Sequence, residues 1–205
     1  MVYVTAVLTE AGALLLLAAG LVHLRGRRDF AALLAAHGLF WRPARARRGP
    51  LTPTSLAAAT TIAVTELLVG SLVAACALLA TNGHGAPLVT AVAAQALLYT
   101  GLVAYLFTLR RLRPGVECGC GPYPEPVGHA TTLRAGLLAL ATYLMLLVSV
   151  TQDSPLVRPG LLETTLSWGM AAAAAVLLAT LPAELAELER LAELRERERQ
   201  AAPLN

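Results

Sequence analysis

The sequence predicts an all-α fold, a multi-pass transmembrane helical bundle, and three observations carry that expectation. Apolar residues make up 57% of the 205-residue chain, and mean hydropathy is +0.64. Charged residues are only 14% of the chain and cluster between apolar runs. Those runs reach about 20 residues, the length an α-helix needs to cross a hydrocarbon core of about 30 Å.

The first run extends from about Val4 to Leu24 and carries Glu10. It lacks the basic start and small-residue cleavage site of a removable signal peptide, so it reads as a span. Arg25, Arg27, Arg28 and Asp29 follow, then Ala31 to Phe40, then Arg42, Arg45, Arg47 and Arg48. An apolar piece this short between arginines reads as an interfacial amphipathic segment within residues 26–55, ended by Pro43, Pro50 and Pro53. His37 on it is expected to be an interfacial polar residue. The second run, about Leu56 to Ala80, contains Glu66, and Asn82 to Pro87 reads as a turn.

A third run, about Leu88 to Leu109, carries Gln95, Tyr99 and Tyr105 and stops at Arg110, Arg111 and Arg113. A fourth, about Ala130 to Val150, has Arg134 one turn in and His129 just before it. Thr151 to Gly160 is a second polar turn. Leu161 to Leu181 reads as a fifth span, with Trp168 as an interfacial anchor. Residues 182–205 form a charged tail, in which Leu185, Leu188, Leu191 and Leu194 recur at helical spacing among Glu and Arg, an exposed amphipathic helix.

Charge bears on topology more than on partners. The net charge is +3, yet all 16 basic residues are Arg and most flank apolar runs. That distribution is a topology signal, so no nucleic-acid partner is expected. Outside the spans, fourteen arginines lie on the side of the first loop, the third-run exit and the tail, against Arg158 on the other. The positive-inside rule then puts the N-terminus outside and the turn between the third and fourth runs at the cytoplasmic face of a plasma membrane. The absence of Lys and the single Ile62 suggest a GC-rich bacterial genome.

That turn, residues 116–122, holds the sequence Cys118-Gly119-Cys120. Gly119 tolerates the backbone angles that bring two flanking cysteines within disulfide reach. A bridge closing so small a ring is expected to be labile and suited to exchange. Two thiolates could instead bind a soft metal ion, or stay reduced without a task. Cys76, inside the second run, reads as a small inert side chain.

Charges inside a membrane are costly and are usually paired or functional. Helix rise puts Glu66 about 14 Å and the Arg134 backbone about 6 Å from the cysteine side, making them the expected ion pair, with Glu10 the worse partner. Arg134, His129 and the Arg110 to Arg113 cluster would raise the thiolate fraction, with Glu66 accepting or relaying a proton.

Several segments together resemble the MauE and DoxX group of small membrane proteins. Ala19 to Arg25 with Phe30 and Leu33 to Leu39 is similar to that group's first helix and following segment. Glu66-Leu67-Leu68-Val69-Gly70 is similar to its Glu-Leu-Leu-x-Gly element. Cys118-Gly119-Cys120-Gly121, ahead of Thr132-Leu133-Arg134, resembles the cysteine turn and Arg-bearing fourth helix of MauE. Two features depart: His23 stands where Lys is usual, and Pro122-Tyr123-Pro124 replaces a Phe-containing turn.

The resemblance covers about Val4 to Val150. It implies a four-helix membrane core over residues 1–150, to which the fifth helix at 161–181 and the tail are additions. It also implies thiol redox work beside a thioredoxin-like partner, in MauE supporting maturation of the disulfide-rich methylamine dehydrogenase small subunit. Catalytic roles fall to Cys118 and Cys120, and supporting roles to Glu66, Arg134, His129 and Gly119. No bound cofactor is implied, and the sequence does not set an oligomeric state. Rival classes are a soft-metal or small-solute transport protein using the thiolates with His129, and a non-catalytic scaffold recruiting partners through the tail.

Overall fold

A computed structural model describes residues 2–37, 52–79, 86–112, 116, 118, 127–151 and 161–201. Helices α1 (Val2–Arg25), α2 (Arg27–His37), α3 (Pro53–Leu79), α4 (Ala86–Leu112), α5 (His129–Thr151) and α6 (Leu161–Ala201) follow in order. Five of them, all but α2, contain stretches long and apolar enough to cross a membrane, from Tyr3–Arg25 to Glu163–Leu181. The expected all-α multi-pass bundle is therefore what forms.

Sequence explains the boundaries. Thr52 Oγ1 accepts from the Ser55 backbone N–H at 3.2 Å, so Thr52 caps α3, and Pro53 opens it, where a missing N–H costs nothing. Pro53 was expected to end the interfacial segment; instead it begins the second span. At α5, Thr131 Oγ1 accepts from the Gly128 N–H at 3.3 Å, satisfying a donor ahead of the first turn. The fifth span and the tail form one helix running through Pro182. The arginines from Arg42 to Arg48, Pro43, Pro50, residues 82–85 of the first turn and residues 152–160 of the second lie outside the described residues.

The hub is α1, which packs on α3, α5 and α6. Its closest neighbour is α3, because two glycines remove the side chains that would hold the backbones apart. A Cβ on Gly70 would stand 2.8 Å from the Ala13 carbonyl oxygen, and one on Gly20 would stand 2.9 Å from that of Ala63. Small residues at a helix interface do the same work wherever lipid removes the hydrophobic drive for helices to pair.

Polar side chains fasten the remaining helices to α1. In α4, Gln95 Nε2 donates to Thr9 O at 2.9 Å, and one turn later Tyr99 Oη donates to Gly12 O at 2.8 Å. In α6, Ser167 Oγ donates to Glu10 Oε2 at 2.8 Å, while Ala171 and Ala175 pack on Ala11. α2 folds against α3, where Ala31 and Leu34 meet Ala59.

Gly70→Val should cost about 1–3 kcal/mol in equilibrium unfolding in detergent, the usual penalty for overpacking. Gly136→Ala, whose added Cβ meets nothing within 4 Å, should be neutral or slightly stabilising in the same measurement. Equal effects would contradict the α1–α3 contact.

Candidate functional site

The close approach of α1 and α3 brings His23 against Glu66. His23 Nδ1 lies 2.7 Å from Glu66 Oε2, with the imidazole N–H donating to the carboxylate. Both side chains are buried. At Gly26 the chain leaves α1 and enters α2 with its hydrogen bonding nearly continuous: Gly26 N donates to Val22 O at 2.8 Å, and Phe30 N donates to Gly26 O at 3.0 Å. That tight junction returns Phe30 over His23, ring centroids 3.9 Å apart and planes within 3°. The imidazole is held by a carboxylate at its edge and an aromatic ring on its face.

Beside this pair lies a cavity of about 260 Å³, walled by α1, α2, α3, α4 and Cys118. His23, Phe30 and Leu34 form one wall, and Thr61, Ile62, Thr65 and Glu66 a second. Leu98, Gly101, Leu102 and Tyr105 complete it from α4. Thr61, Thr65 and Gly101 are exposed, and they sit within helices that read as spans, so this side of the cavity faces lipid. A second cavity, about 30 Å³, lies between Glu66, Tyr99 and Arg134, room enough for a water molecule. Glu66 lines both.

Cys118 is disulfide-bonded, and Cys76 is a free thiol. Gly119 and Cys120 lie outside the described residues. Cys118 is 2% exposed and packs with Leu106, Leu109, Val127 and Ala135. The Val127 N–H donates to Val116 O at 2.8 Å, pinching the neck of the cysteine turn. Enclosed in this way, Cys118 also lines the cavity.

Two further expectations change. Glu66 pairs with His23 and not with Arg134, whose Nη1 donates to Leu178 O in α6 at 3.0 Å. Tight α1–α3 packing sets His23 opposite Glu66, while the Arg134 stem is drawn to a carbonyl on the added helix. His37 is not an interfacial group: it is 2% exposed and pairs through Nδ1 with the Tyr105 hydroxyl, because α2 turns that face inward. His129 accepts from Arg110 Nη2 at 2.6 Å, tying the ends of α4 and α5 together. Among the described residues no group of three His, Cys, Asp or Glu side chains is placed to hold a metal ion.

Sequence reasoning missed His23, Phe30 and Tyr105 as site residues. The signal for His23 was present: a cation-capable side chain near the end of one span and a carboxylate inside the next.

Neither a curated protein nor a solved structure matches the chain significantly. The family model described as methylamine utilisation protein MauE matches residues 1–148, bearing out the resemblance carried by the Glu66 and Cys118 segments. The match takes in α1 to α4 and nearly all of α5 and leaves α6 outside. Covering well over half of a protein with five helices able to cross a membrane, it shows that the chain belongs to the MauE family of methylamine utilisation membrane proteins.

Proposed function

We propose that this membrane protein exchanges disulfides with a thioredoxin-like partner and so supports disulfide formation or maturation of client proteins. The observation that carries the reading is the disulfide at Cys118, seated against a cavity that also holds the His23–Glu66 pair. With three cysteines in the chain and Cys76 free, the partner sulfur is assigned to Cys120. Residues 1–150 are then the redox unit, and α6 an added helix with a charged extension.

The two sulfurs take different tasks in this scheme, Cys118 being the one buried against the cavity. A thiolate of the partner attacks Cys120 Sγ, forming a mixed disulfide and releasing Cys118 as a thiolate. The partner's second thiolate then attacks its own sulfur in that mixed disulfide. The partner leaves oxidised, and Cys118 and Cys120 are left as a dithiol, two electrons richer. Glu66 is placed to take up or pass on a proton as the inner thiolate forms and re-forms, since it faces both the large cavity and the smaller one beside Tyr99 and Arg134.

Cys118→Ser or Cys120→Ser should abolish exchange, and Cys118→Ser, which keeps Cys120, should be captured as a mixed disulfide when its thiol attacks the disulfide of the oxidised partner, releasing one partner thiol. Glu66→Gln should slow turnover about a hundredfold, the lower end of what a positioned proton-transfer group contributes. Unchanged exchange in both cysteine variants, followed by thiol trapping and gel shift, would rule the mechanism out. For sidedness, Asn82→Cys should be labelled by an impermeant maleimide on intact cells and Arg45→Cys only after permeabilisation. The reverse pattern would invert the orientation.

A further inference from the structure

We infer that the cavity beside Cys118 is a binding site for the head group of a lipid-soluble quinone, which reoxidises the cysteine pair. The inference rests on the thiol-exchange reading, because that reaction leaves a dithiol whose two electrons need an acceptor. Three observations select the class.

Access comes first. Thr61, Thr65 and Gly101 are exposed on helices that span the membrane, so the cavity opens sideways to hydrocarbon between α3 and α4. A ligand entering there is dissolved in lipid. Size and lining come second. A volume of about 260 Å³ sits near the lower limit of small-molecule pockets, roughly 300 Å³, which suits one substituted ring and excludes a polypeptide. Mostly apolar walls with a few convergent polar groups are the usual form of such a site. Here the lining includes the His23 imidazole and Glu66 carboxylate, paired with each other, and Tyr105, whose hydroxyl pairs with His37.

Chemistry comes third. Cys118 is buried and lies on the wall of this same cavity. Cys118 thus lines the cavity that opens toward lipid, while exchange with the partner is assigned to Cys120. The step balances: two S–H bonds break and one S–S bond forms, the dithiol losing two electrons and two protons. The quinone gains both, forming two O–H bonds, and departs into the bilayer as quinol. His23 and Glu66 stand where one of those protons must pass.

The test uses the full chain in lipid nanodiscs, reduced, freed of reductant and held without oxygen. Decylubiquinone is added, and quinone absorbance and free thiols are followed together. The expected result is one quinone consumed per disulfide formed, with no reaction in the Cys118→Ser variant. Gly101→Leu adds a side chain where a built Cβ meets nothing within 4 Å, so the fold accepts it while the mouth fills. Its quinone reaction should be slower by about tenfold or more, as expected when a ligand group is displaced at a cost of about 1.4 kcal/mol or more. An azido-quinone should photolabel α4 between residues 98 and 105 in the parent chain and lose that labelling to excess decylubiquinone.

A parallel assay on the parent chain measures exchange with reduced thioredoxin. Normal exchange with no quinone reaction would overturn the site and leave the exchange reading standing. Failed exchange with intact competitive photolabelling would overturn the exchange reading instead. Labelling that decylubiquinone does not displace would mean that only lipid chains occupy the cavity, and would overturn the inference.

Discussion

The structure depends on how closely α1 and α3 approach. Gly20 and Gly70 let each backbone reach the other's carbonyl oxygens, and nothing larger would fit there. That contact fixes His23 opposite Glu66. It also sets where α2 departs and hence where Phe30 lands on the imidazole. A charged or polar pair inside a membrane is expensive unless its geometry is good. The two glycines are what make the geometry good, and the cavity is the space left between α3 and α4 once α3 has been drawn toward α1.

Polar contacts then settle the order of the other helices. Gln95 and Tyr99 grip carbonyls on α1 one turn apart, so α4 cannot slide or rotate without losing both. Thr100 and Tyr143 join α4 to α5 on the outer face at 3.1 Å, and Arg110 with His129 joins their ends. The added helix α6 is held by Glu10 at one level and Arg134 at another. In lipid, where apolar surface gives little reason for helices to associate, such contacts decide which neighbours a helix takes.

Much of this was legible from residues alone. Hydropathy located all five spans, since a run of about 20 apolar residues between arginines has few other solutions. The Glu66 and Cys118 segments pointed to the family. What failed was pairing. Depth reckoned by helix rise treated each span as an isolated rod, and so favoured Arg134 for Glu66. It could not show that glycines would draw α1 onto α3, nor that Leu178 in a later helix would offer Arg134 a carbonyl. His37 was misread because α2 was taken to float at the interface, whereas its Ala31, Leu34 and His37 face is buried. Amphipathic spacing alone does not say whether a short helix meets lipid or protein.

The hub role of α1 also sets a timetable for biogenesis. Its carboxylate Glu10 finds Ser167 only 157 residues further along, whereas His23 meets Glu66 after 43. Made before α3 and α6, this segment enters the bilayer with both polar groups unmatched. The second hairpin partner quiets His23 early, but Glu10 must wait until α6 has been synthesised.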